Sequence, residues 1–112
     1  MKPIAEEEAF QQLEQWRRER GTVDVALARS LRQRTVSAAE VSQVLPHSRK
    51  VLLMIDDEHG VGVAVTVSLE GAAWEYAADG GIVPEFADVK WAEYLSARFP
   101  NGSRYVFGRR AR

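Results

Sequence analysis

The stretch from Val51 to Tyr76 constrains the fold more than any other, because it carries two β-type patterns separated by one polar break. From Val61 onward, Val61, Val63, Val65, Val67 and Leu69 alternate with Gly62, Ala64, Thr66 and Ser68, a period of two that sends the larger side chains to one face. That face is expected to be core, with Val63, Val65 and Val67 buried. The other face is small and mildly polar, which suits cover by a helix or a neighbouring strand better than open water. Val51 to Ile55 shows no alternation and predicts a strand covered on both sides. Between the two, Asp56, Asp57, Glu58, His59 and Gly60 supply charge and one residue free to take positive φ, as a hairpin connection requires.

Upstream, Pro3 followed by Glu6, Glu7 and Glu8 suits the free N–H groups and positive dipole end of a helix and predicts a start near Pro3. Ala5, Ala9, Leu13 and Trp16, with Phe10 at the margin, share one side at helical spacing. Arg17, Arg18 and Arg20 suit the carboxyl end, and Gly21 is the expected left-handed cap. One amphipathic helix is therefore expected over about 3–20. Val23, Val25 and Leu27, alternating with Asp24 and Ala26, predict a strand between Thr22 and Leu31. The 35–45 stretch reads two ways. Ser37-Ala38-Ala39-Glu40 has the form of a capping box opening a short helix, whereas β-branched Thr35, Val36, Val41 and Val44 favour a strand. Pro46, His47 and Ser48 then predict a turn.

Beyond Tyr76 a glycine-rich turn leads to Pro84-Glu85, which can open one or two helical turns. Residues 84–99 read either as one helix or as a loop followed by a strand. Asn101-Gly102 between strand-like runs favours the second reading, since that dipeptide marks two-residue hairpin turns. Such a turn pairs Phe99 with Arg104, Arg98 with Tyr105, Ala97 with Val106, Ser96 with Phe107 and Tyr94 with Arg109. Leu95, Ala97, Phe99 and Val106 then form a core face. The opposite face carries Tyr94, Arg98, Tyr105, Phe107 and Arg109, an alternation of rings and guanidinium groups that is the candidate binding site. Trp74 and Tyr76 share one side of their strand as core-edge residues, with Trp16 of the helix as a natural partner.

Assembled, these elements predict one α+β domain over 1–112, mainly β, with the N-terminal amphipathic helix packed on a small, strongly bent antiparallel sheet or barrel of five to six strands. The order of elements resembles that of Sm-like and SH3-like barrels in arrangement alone, without motif residues of either. At 112 residues, 46% of them hydrophobic, the chain can bury a core of its own. It has no cysteine, so it has no disulfide framework and no thiolate metal site or nucleophile. Its start lacks the pattern of a signal peptide and no stretch has the apolar length of a membrane span, so a cytoplasmic protein with no membrane partner is expected.

Catalytic and cofactor motifs are missing from the sequence. There is no phosphate-binding glycine loop or nucleophile elbow, and only His47 and His59 could serve as an imidazole base. Asp56, Asp57, Glu58 and His59 are consecutive, so their side chains diverge and read as a solvated turn rather than a metal site. No cofactor, metal or catalytic residue is assigned. The net charge of −1 argues against bulk attraction to nucleic acid, although Arg98, Arg104, Arg109, Arg110 and Arg112 form an acid-free end. Arg17, Arg18, Arg20, Arg29, Arg32 and Arg34 are diluted by acids and read as a salt-bridged surface. The expected function is a non-enzymatic binding module acting through protein contacts, self-association included. The alternative is single-stranded RNA or DNA binding through the aromatic and arginine face.

Overall fold

The central hairpin forms as its pattern predicts, and it stands at one edge of the sheet. The computed structural model describes residues 2–30, 33–56, 59–78 and 83–110. In chain order the elements are β1 (Lys2–Ile4), α1 (Glu6–Glu19), β2 (Val23–Ala28), β3 (Arg34–Leu45), β4 (Lys50–Asp56), β5 (Gly62–Ser68), β6 (Ala73–Ala77), β7 (Glu93–Arg98) and β8 (Arg104–Arg109). They make one eight-stranded sheet of order β1-β6-β7-β8-β2-β3-β4-β5, antiparallel at every pairing. This corrects the expected five to six strands and the barrel: the sheet is open, with edges at β1 and β5. The 35–45 stretch is strand throughout, its β-branched residues prevailing over the capping-box pattern. The 84–99 stretch is a 3-10 turn at Pro84–Phe86, then loop, then β7.

The sheet must bend. β5 and β6 lie six positions apart, roughly 29 Å on a flat sheet. The link from Ser68 to Ala73 reaches at most about 18 Å even fully extended. Bending closes that gap and leaves a hollow, which α1 fills with Ala9, Phe10, Leu13 and Trp16. These meet Val23 and Val25 of β2, Ala39 and Val41 of β3, Val51 and Leu53 of β4, and Trp74, Leu95 and Phe107 from β6, β7 and β8. Phe10 contacts Trp74 edge-to-face at 5.7 Å. Trp16 donates its indole N–H to Glu93 at 3.2 Å, and Tyr76 donates to the other oxygen of the same carboxylate at 2.8 Å. Glu93 thereby ties the helix to the Trp74–Tyr76 strand.

Several local expectations are corrected. Pro3 does not open α1; it pairs with Glu75 in β1, where a residue without an N–H is tolerated because the strand is an edge. The helix begins at Glu6, keeping its three glutamates in the first turn. Its left-handed cap is Arg20 (φ 54°), one residue before Gly21. β2 ends at Ala28, and Leu31 lies outside the described residues. Val51–Ile55 is covered on one side only: Val51 and Leu53 are buried while Met54 is 40% exposed. In β5, Gly62, Ala64, Thr66 and Ser68 face solvent rather than a covering layer.

On the outer face of the other half of the sheet, a strap of residues 83–91 closes a second core. Val83, Phe86 and Trp91 cover Ala26, Ala28, Tyr94 and Val106. Asp24, itself buried, accepts the Trp91 indole N–H at 2.9 Å and the Arg110 Nε at 2.6 Å. Arg34 donates to both oxygens of Asp88 and to the Glu85 carbonyl, with its guanidinium 5.7 Å from the Phe86 ring centre. At Gly108 the Trp91 indole lies directly on the sheet backbone: an added Cβ would stand 2.6 Å from it.

Gly108→Ala is therefore expected to destabilise the protein by about 1–3 kcal/mol, the usual cost of overpacking a filled site, read as a lower urea midpoint at unchanged slope. The strap also carries a pH signature. Hydrogen bonding by Arg34 holds the Asp88 carboxyl below its usual range. A depressed folded-state pKa contributes stability above the unfolded value and loses it as pH falls through the folded one. Protection factors for amide exchange at 83–91, taken against the intrinsic rate at each pH, should fall on acidification below the ordinary carboxylate range, and Asp88→Asn should flatten that acid response while leaving protection at neutral pH already lowered.

Candidate functional site

The aromatic and arginine face expected on the last hairpin is taken apart by a single residue of register. The turn is a three-residue loop, Pro100-Asn101-Gly102: Gly102 N–H donates to the Phe99 carbonyl at 3.0 Å, and Phe99 N–H donates to the Ser103 carbonyl at 2.9 Å. Only Gly102 takes positive φ (89°); Asn101 does not, as a two-residue Asn-Gly turn would need. Pro100 is the cause, because its fixed φ suits the second position of a common tight turn followed by a left-handed glycine. The Asn101 side chain then accepts from the Ser103 N–H at 2.9 Å.

The resulting pairs are Arg98 with Arg104, Ala97 with Tyr105, Ser96 with Val106, Leu95 with Phe107, Tyr94 with Gly108 and Glu93 with Arg109. A one-residue slip exchanges the faces of one strand relative to the other. Tyr105, Phe107 and Arg109 therefore lie on the helix side, and Tyr94 and Arg98 on the outer side. Phe107 is fully buried and stacks between Trp74 and Tyr105, whose ring is edge-on to Phe99. Tyr94 is fully buried beside Trp91, and that burial, with the Glu75 charge, pushes its hydroxyl pKa up. Arg109 pairs with Glu19 and lies 3.8 Å from Glu93. Arg98 alone of the five is exposed.

The remaining charges are fasteners or solvated. Arg17 and Arg18 both pair with Glu14, whose carboxyl is held below its usual range chiefly by hydrogen bonding from Arg17. Arg104, buried under the strap, lies 3.8 Å from Glu85. A groove of about 800 Å³ between α1 and the end of β3 is lined by Glu7, Gln11, Glu14, Gln15 and Arg18 of the helix together with Phe10, Val44 and Pro46. Of the acidic loop, Asp57 and Glu58 lie outside the described residues, and among the described residues no three His, Asp or Glu side chains converge to hold a metal.

What the structure does expose is the β4–β5 hairpin. Burial falls off steadily along β5, from Leu69 (0%) and Val67 (6%) at its base to Val63 (44%) and Val61 (58%) toward its tip. The base packs against the core under α1, and the tip runs past it. Val63 is thus exposed where the period of two predicts core. Met54 on the outer side of the same hairpin is 40% exposed, so three of the four exposed large hydrophobic side chains among the described residues belong to it. Along its outer edge β5 meets no further strand among the described residues. Gly62–Ser68 also carries no charged residue and no proline, the devices that ordinarily guard a sheet edge.

Because the tip lies beyond the core, Val63→Lys should change the folding stability of the monomer by no more than about 0.5 kcal/mol, as for a surface position, when read at dilution low enough that association adds nothing. Val67→Lys, at the buried base, should cost several kcal/mol, about the penalty of an unpaired buried charge. Thermal melts of the two variants beside the wild type read this difference.

No protein-family model matches the chain, no curated protein matches it in sequence, and no solved structure matches it in fold, so its function is argued from its own residues.

Proposed function

We propose that this protein is a non-enzymatic protein-binding module whose contact is strand addition at the β5 edge. The observation that carries this reading is the combination, on one hairpin, of an open uncharged edge with projecting Val61 and Val63. An incoming strand gains main-chain hydrogen bonds from such an edge and side-chain pockets at alternate positions. Covering the valines removes apolar surface from water at roughly 25 cal/mol per Å². The single-strand nucleic-acid reading has less behind it. It needs accessible rings for stacking, whereas Tyr94 and Phe107 are buried, and it needs free guanidinium groups, whereas Arg109 is engaged with Glu19.

The test is a fluorescent heptapeptide of alternating threonine and valine, measured by anisotropy against dilute protein. Saturable binding is expected, abolished when proline replaces the central residue of the peptide and weakened several-fold by Val63→Lys. Salt should have little effect. The reading is overturned if the peptide does not bind while oligo-dT binds at low salt and loses affinity on Arg98→Ala and Tyr105→Leu.

A further inference from the structure

We infer that the strand received at this edge is β5 of a second copy of the same chain, paired antiparallel about a two-fold axis through Val65. The inference rests on the edge-binding reading and names its partner. A two-fold axis perpendicular to a sheet keeps each face in place, so residues meeting across it share a face and their numbers sum to an even value. A sum of 130 leaves no residue of Gly62–Ser68 unpaired. Val65 then meets Val65, Val63 meets Val67, Ala64 meets Thr66 and Gly62 meets Ser68. The strand is self-complementary in this register, valine against valine on the helix side and small against small on the outer side.

The neighbouring strand extends the match. Within one chain, Val63 pairs with Ile55 and Val67 with Val51. Across the axis the row on the helix side becomes Ile55, Val63, Val67 of the second copy and Val51 of the second copy. The half-exposed tip of each hairpin thus abuts the buried base of the other, and the two helix-side cores become continuous. On the outer side, Met54 and Ala64 run into Thr66 and Leu52 of the second copy, because Met54 pairs with Ala64 and Leu52 with Thr66.

Charge agrees with the antiparallel sense. Asp56 pairs with Gly62 at the tip and Lys50 with Ser68 at the base, so the register sets Asp56 of each chain in the row of Lys50 of the other. They stand about three strand spacings apart, roughly 14 Å, which orients the approach more than it holds the pair. Seven paired residues also supply about six to eight main-chain hydrogen bonds.

The absence of native cysteine allows a direct test. Ala64→Cys and Thr66→Cys both lie on the exposed outer face, and the register makes them direct partners across the axis. Under mild oxidation a mixture of the two single variants should form a covalent dimer several-fold faster than either variant alone, because directly opposed Cβ atoms come within disulfide reach and diagonal ones do not. Sedimentation of the wild type should show a monomer–dimer equilibrium that Val63→Lys shifts toward monomer. Crosslinking of one variant alone at the rate of the mixture overturns the register. A wild type that sediments as monomer at every concentration, with no crosslink, overturns self-pairing. The peptide experiment then separates the two readings: binding leaves the edge as a site for another protein's strand, and no binding removes both.

Discussion

The hollow of the sheet and the apolar stripe of α1 depend on one another. The short β5–β6 link compels the bend, and a bent sheet with nothing inside it would expose Val51, Leu53, Trp74, Leu95 and Phe107 to water. Phe10, Leu13 and Trp16 remove that penalty, each buried large side chain contributing about 1.5–3 kcal/mol. Glu93 adds direction. By accepting from both Trp16 and Tyr76 it sets where along the sheet the end of the helix comes to rest, and Arg109 beside it extends the tie to Glu19.

The outer face is managed by a different device. Among the described residues no helix covers β6, β7, β8 and β2 there, and the 83–91 strap supplies Val83, Phe86 and Trp91 in place of one. A strap this short has little regular hydrogen bonding of its own, and its attachment rests on side chains of the sheet: Asp24 for Trp91, and Arg34 for Asp88 and the Glu85 carbonyl. Arg34, Arg109 and Arg110, which look available for recognition in a linear sequence, are engaged with Asp88, Glu19 and Asp24 once the sheet has formed.

Legibility in the sequence follows the physics of each signal. Strict alternation in Val61–Leu69, the polar break and the helical spacing of Ala9, Leu13 and Trp16 are direct consequences of burial, and they located β5, the hairpin and α1. Proline is an ambiguous signal, because it has more than one permitted setting. Pro3 reads as a helix start but occupies an edge strand; Pro100 moved the last turn by one residue and thereby separated Tyr94 and Arg98 from Tyr105, Phe107 and Arg109. β1, at three residues, is too short to carry a period. The exposure of Val63 had no local signal at all, since alternation states which way a side chain points and not whether anything lies over it. That depends on what the assembled domain lays over each position.

The two edges of the sheet are unequal among the described residues, and this bears on how far edge pairing could extend. β5 is seven residues long and unguarded, whereas β1 is three residues long with Pro3 at its centre, where no N–H is available to an incoming strand. A domain with two receptive edges can add copies without end and become a fibre. Among the described residues only the β5 edge has the length and composition to receive a strand, and the antiparallel union proposed above would use it up on both chains. If β5 pairs with itself as proposed, polymerisation by edge-to-edge stacking is closed off after the first encounter, and an apolar, chargeless strand at the margin loses the hazard it carries in a symmetric sheet.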